Sequence, residues 1–215
     1  MDRIKKLCSY LDKCKSFADV GCDHGYCTLY MLKNNLCDSA QISDISAKCL
    51  EKAEKLLTPY IENGKVSSVC CSGLNGIAKD TEQILIAGMG GEEIILILKS
   101  AFIPEKFVFQ PMKNARLLRE YLILNGAEIT ADIMFESGGK FYTVIKGCRR
   151  GNKTEYTSEE LEYGKALDSD TTRKFLKSEL AKKESYLKNP VSDAVRKKIT
   201  EEINTIKEVL NGDNR

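Results

Sequence analysis

The sequence predicts an α/β fold built on a mostly parallel sheet, on three observations. Short apolar runs alternate with segments of helical periodicity; a glycine-bearing turn closes the first run; and after Gly126 two adjacent runs are joined by Ser137-Gly138-Gly139-Lys140. Taken in order, Ile4, Leu7, Tyr10 and Leu11 form the apolar stripe of a first helix. Strands are expected at Phe17 to Val20, Ala40 to Ser43, Lys65 to Cys70, Ile84 to Ala87 and Phe107 to Phe109, each brief and bounded by turn or charged residues. Periodic apolar positions predict helices over Leu29 to Leu36, Leu50 to Ile61, Ile94 to Phe102 and Leu117 to Leu124, with Gly64 and Gly126 as stops. Ala127 to Phe135 and Phe141 to Ile145 then read as a hairpin that gives the sheet an antiparallel last strand.

From about Gly151 the composition becomes charged and helical. Leu176, Leu180 and Leu187 follow one apolar pattern and Val195, Ile199, Ile203, Ile206 and Leu210 another, with Asn189-Pro190 between them. Two antiparallel helices packed as a coiled-coil hairpin are expected, so the chain divides into residues 1–150 and 151–215. A net charge of +2 neither demands nor forbids a nucleic-acid partner. Nine cysteines, an odd number with no CxxC pair, fit neither a disulfide framework nor a zinc site. No apolar run approaches the roughly 20 residues of a membrane span. The expectation is therefore a cytoplasmic monomer without metal or membrane contact.

The chemistry concentrates in Asp19 to Tyr26, which reads DVGCDHGY and holds two carboxylates and the only histidine. A strand, a glycine turn and a helix N-terminus at the carboxyl edge of a parallel sheet form a ligand site. A dinucleotide turn needs three spaced glycines so that a pyrophosphate can touch the backbone. Here Asp23 stands where the phosphate would sit; its charge would repel a diphosphate but tolerates S-adenosylmethionine, whose sulfonium lies beside an ammonium. Gly21 would let the backbone pass close to that methionine part, and Asp19 would organise its ammonium. Helix capping is the competing role for both aspartates, and packing or capping for His24. Asp44 closes the second strand at about the 20-residue spacing at which a carboxylate meets ribose hydroxyls, with capping of the next helix as the alternative. Ala87 to Gly91, AGMGG, brings a strand into glycines at the same edge, where either close ligand approach or tight packing would use them. Gln110-Pro111-Met112 follows the next strand, and Gln110 can offer an amide to an adenine edge or to backbone.

These turns in this order, DVGCDHGY, AGMGG, QPM and GGKFYTVIKG at Gly138 to Gly147, resemble the bacterial tRNA (adenine-N1)-methyltransferases that act on adenine 22. The resemblance implies a Rossmann-like class I methyltransferase sheet, S-adenosylmethionine as donor and tRNA as acceptor. Carried onto this chain, the donor site would comprise Asp19, Gly21, Cys22, Asp44, Ile45, Ser72, Gly73, Gly88 and Met89. Asp23 would lie nearest the target base as the catalytic carboxylate. Tyr26, Gly90, Gln110, Pro111, Arg116 and Tyr142 would serve the tRNA side, with Lys113, Arg119, Lys140, Arg149, Arg150 and the C-terminal helices contacting its backbone. Where the family has Gly-Asp-Gly-Leu, this chain has Cys71-Ser72-Gly73-Leu74, so a charged contact to the donor's adenine becomes a neutral one, weaker by about 1 kcal/mol. Two other functions remain open: a small-molecule methyltransferase, and a non-catalytic nucleoside- or RNA-binding module.

Overall fold

A computed structural model describes residues 3–152 and 154–212; residues 1, 2, 153 and 213–215, which the two expected segments include, lie outside the described residues. The chain runs α1 (Arg3–Cys8), β1 (Cys14–Val20), α2 (Tyr26–Lys33), β2 (Cys37–Asp44), α3 (Ala47–Glu62), β3 (Val66–Cys70), β4 (Gln83–Met89), α4 (Gly91–Ser100), β5 (Lys106–Pro111), α5 (Ala115–Leu124), β6 (Glu128–Ser137) and β7 (Lys140–Cys148), then α6 (Ser158–Tyr163), α7 (Asp170–Tyr186) and α8 (Asp193–Asn211). The strands form one seven-stranded sheet in the order β3-β2-β1-β4-β5-β7-β6. β1 pairs parallel with β2 (Val20 opposite Ser43) and with β4 (Val20 opposite Ile86), while β7 runs antiparallel to β5 and β6. The strands reach beyond their apolar cores because backbone pairing continues through polar residues such as Ser16 and Ser39.

Helices cover both faces, so central strands bury alternate residues on opposite sides. Phe17 and Leu85 join Met31, Ile42 and Leu57 in one apolar cluster; Val20, Ile84 and Ile86 join Ile94, Phe107 and Leu118 in the other. This arrangement brings the carboxyl ends of β1, β2 and β4 to one edge.

Beyond β7, α7 and α8 pack against each other on either side of Asn189-Pro190, burying Leu176, Ile206 and Val209. Lys183 bonds Glu202 across the pair at 2.5 Å. They are also tied to the sheet: Phe175 meets Phe141 of β7 edge-on, with ring centroids 5.4 Å apart.

Arg119, expected to contact the tRNA backbone, is instead fully buried. Its Nε and Nη2 donate to the two oxygens of Asp132 at 2.7 and 2.9 Å, and its Nη1 donates to the Leu161 and Glu162 carbonyls at 2.9 and 3.2 Å. A guanidinium so enclosed cannot reach a phosphate. Arg116 and Arg149 are surface residues paired with carboxylates, Arg116 with Glu120 and Glu162 and Arg149 with Glu105; such exposed pairs are weak enough to exchange partners.

Candidate active site

The turn after β1 folds back on β2. Gly21 and Cys22 both donate their N–H to the Ser43 carbonyl, at 2.8 and 3.0 Å. Asp23 follows in the left-handed region at φ 46°, which aspartate tolerates better than most residues. Its N–H donates to Asp44 Oδ2 at 3.2 Å, and Asp44 Oδ1 accepts the Ser46 N–H at 2.8 Å. Asp44 thus binds two turns together. The cap of α3 is Ser46, whose hydroxyl accepts the Cys49 N–H at 3.3 Å.

Asp19 is buried at 5% exposure and accepts the Thr28 hydroxyl in the first turn of α2 at 3.0 Å. Burial pushes its carboxyl up from 3.8 to about 6; hydrogen bonds from Thr28 oppose the shift and the Asp44 charge adds to it. Asp23 stands in contrast with its side chain 61% exposed, 3.7 Å from His24 Nε2 and 3.8 Å from Lys52 Nζ. The His24 ring stacks on Tyr26, centroids 5.5 Å apart and 13° from parallel, and Tyr26 is half exposed.

These turns enclose a cavity of about 800 Å³. Asp19, Gly21, Cys22, Asp23 and Tyr26 line it from the first turn, Asp44 and Ile45 from the end of β2, Ser72 and Gly73 from the loop after β3, and Gly88 and Met89 from the end of β4. Two glycines give it its shape. Gly88 lies at φ 82° in a bulge of β4 against β5, and a Cβ on Gly21, at φ 71°, would overlap Met89 Cε.

Gly90, Gln110, Pro111, Arg116 and Tyr142 do not line this cavity. The side chain of Gln110 is fully buried; its oxygen accepts from Arg3 at 2.6 Å and its nitrogen donates to the Pro111 carbonyl at 3.1 Å. Tyr142 stacks on Phe135 beneath the Arg3 guanidinium. Sequence reasoning missed the wall made by Arg3, Ile4 and Leu7 of α1, and that made by Glu93, Leu96 and Ile97 of α4. The periodicity of both helices was visible, but nothing local tells which helix face abuts a cavity. Among the described residues no group of three or more His, Cys, Asp or Glu side chains could hold a metal ion, and no helix is long and apolar enough to cross a membrane.

The family model described as "Methyltransferase domain" matches residues 1–145. A Mycoplasma pneumoniae protein named "Putative tRNA methyltransferase" is 34% identical over 69% of this chain and 70% of its own length. The tRNA (adenine(22)-N(1))-methyltransferase of Bacillus subtilis is 28% identical over 66% of this chain and 62% of its own length. A Streptococcus pneumoniae structure, "a putative tRNA (m1A22) methyltransferase, in complex with S-adenosyl-L-methionine", superposes with a TM-score of 0.86 at 25% identity, covering 98% of this chain and all of that one.

Proposed function

Because this chain belongs to the methyltransferase-domain family, among the bacterial tRNA (adenine(22)-N1)-methyltransferases, we propose that it methylates N1 of adenine 22 in tRNA from S-adenosylmethionine. The observation that carries this reading is a cavity at the sheet edge lined by a buried carboxylate, Asp19, and by an exposed one, Asp23. That charge pattern suits a cationic donor inside and a base that acquires positive charge outside.

The residues present fit the donor. Asp19 offers a carboxylate to the ammonium, Asp44 keeps oxygen lone pairs for a ribose diol, Ile45 and Ile97 supply apolar surface for an adenine, and the bulge at Gly88 lets backbone approach. Ser72 lines the same cavity in place of the family's aspartate and supplies a hydroxyl rather than a charge. The donor supplies an electrophilic methyl on sulfonium. Adenine N1 brings its own lone pair, so the protein need not remove a proton before transfer; its task is alignment and exclusion of water. Asp23 accepts a hydrogen bond from the exocyclic amine and offsets the charge that the ring acquires. The His24–Tyr26 stack at the mouth gives an extruded adenine a flat surface to rest on.

Residues 1–150 are read as the catalytic unit. Residues 151–215 are read as the tRNA-contacting unit, with α7 and α8 as its coiled-coil hairpin, a reading supported by the exposed Lys197 and Lys198 on α8. Deleting that segment is a poor test, because it would strip the Leu161 and Glu162 carbonyls and Tyr156 from the buried Arg119–Asp132 pair. The protein is further read as a cytoplasmic monomer.

Incubation with S-adenosylmethionine and an unmodified tRNA transcript, followed by nuclease digestion and mass spectrometry, is expected to give 1-methyladenosine at position 22. Measurable donor binding without that product would overturn the tRNA acceptor and direct the search to small molecules. A pH series gives a second prediction. Holding an ammonium requires ionised Asp19, so donor affinity measured by calorimetry should fall as pH drops through about 6. Ligand-free stability should move the other way. The folded carboxyl titrates above its unfolded value of 3.8, so this group's contribution rises as pH falls from about 6 and is complete below 3.8. Affinity flat between pH 5 and 7 would remove Asp19 from the ammonium.

A further inference from the structure

The charges around the cavity are unbalanced. Asp19, Asp23, Asp44 and Glu93 line it, and the only lysine or arginine among the described lining residues is Arg3, at the start of α1. Nothing in the motifs points to Arg3, which lies outside every turn the sequence singles out. Its guanidinium is nevertheless held from several sides. Nη2 donates to Gln110 Oε1 at 2.6 Å, and Cζ sits 5.1 Å above the Tyr142 ring. Nη2 also lies 3.4 Å from where a Cβ on Gly88 would stand, so the group rests against the β4 bulge. Gln110 is itself immobilised by burial and by its bond to the Pro111 carbonyl. Arg3 Nε is buried and has no hydrogen-bond partner among the described residues.

A guanidinium has five donors in a planar fork that matches a carboxylate, and a buried donor left unpaired is costly. The methionine part of S-adenosylmethionine carries a carboxylate as well as an ammonium. The four acidic side chains can receive the ammonium and the ribose hydroxyls, but each would repel the carboxylate. We propose that Arg3 binds the donor's α-carboxylate, with Gln110 and Tyr142 as positioning residues that hold its guanidinium against Gly88. This rests on the reading of the cavity as the donor site. It also gives Gln110 and Tyr142 a role on the donor side, one side chain removed from the ligand.

The test is calorimetry on the full chain with two ligands, S-adenosylmethionine and decarboxylated S-adenosylmethionine, which differ only in the carboxylate. Arg3→Gln is expected to weaken the first by about tenfold to a hundredfold and the second by less than about twofold. Arg3→Lys, which keeps the charge but loses the fork, should fall between wild type and Arg3→Gln for the first ligand. Equal weakening of both ligands would overturn the proposal, since Arg3 would then only shape the cavity. Unchanged binding of S-adenosylmethionine to a folded Arg3→Gln would overturn it too. The wild-type protein provides a check that needs no variant: it should prefer the carboxylated ligand by a similar factor, and equal affinities would overturn the assignment. If wild type bound neither ligand, the donor-site reading itself would fail, an outcome distinct from the others.

Discussion

Arg119→Met should destabilise the protein by about 3–5 kcal/mol, out of the roughly 5–15 kcal/mol that holds a domain folded. The side chains of Arg119 and Asp132 are 1% and 0% exposed, and the pair is bidentate. Tyr156 adds its hydroxyl to Asp132 at 2.9 Å, and burial together with that neighbouring charge pushes the phenol well above its usual range. Removing the guanidinium leaves an uncompensated carboxylate in the interior. It also orphans the Leu161 and Glu162 carbonyls, so α5, β6 and α6 lose their common tie. For a chain of this length the melting temperature should fall by about 6–20 °C. The double variant Arg119→Met with Asp132→Leu should recover much of the loss, because replacing both charges removes the desolvation cost as well as the attraction. Urea denaturation of the three proteins decides the matter; a loss below about 1 kcal/mol in the single variant would show that water reaches the pair.

Asp23→Asn is expected to cut turnover by about a hundredfold to a thousandfold while leaving affinity for S-adenosylhomocysteine within about threefold of wild type. The two readouts separate because the Asp23 side chain is 61% exposed and its nearest charged partners, His24 and Lys52, stand at 3.7 and 3.8 Å, beyond strong hydrogen bonding. Asparagine is isosteric, accepts the same left-handed backbone and keeps the N–H that donates to Asp44, so the turn should survive. Only the negative charge is lost. Single-turnover methylation at saturating donor measures this directly. Turnover within about threefold of wild type would move the charge-stabilising role away from Asp23, whereas parallel loss of donor affinity would make Asp23 part of the donor's own binding.

Much of the architecture could be read from local pattern. The runs around Phe17, Ile84 and Phe107 became the central strands, and Gly126 and Asn189-Pro190 ended helices where expected. Apolar periodicity places two helix starts late, at Leu29 instead of Tyr26 and at Leu117 instead of Ala115. A first turn is marked by caps and backbone donors more than by apolar periodicity, and the α2 cap is a glycine in the left-handed region. Gln110 reads as an amide for an adenine edge or for backbone, and it is the backbone alternative that the Pro111 carbonyl takes up, whereas Arg119 reads as a contact to the tRNA backbone. The fold buries both completely.

Local pattern settles the order of the strands and of every helix but α6, the edge at which the site opens, and the aspartates and glycines that shape it. These follow from side-chain period and turn stereochemistry, which act over a few residues. Tertiary structure alone decided which polar groups are enclosed: it seats Arg3 on Gln110 across 107 positions of chain and locks Arg119 to Asp132 in the interior. The same guanidinium on a local helical pattern is equally consistent with solvent, a phosphate or a buried carboxylate. Only packing between distant elements sets its desolvation, and so its chemistry.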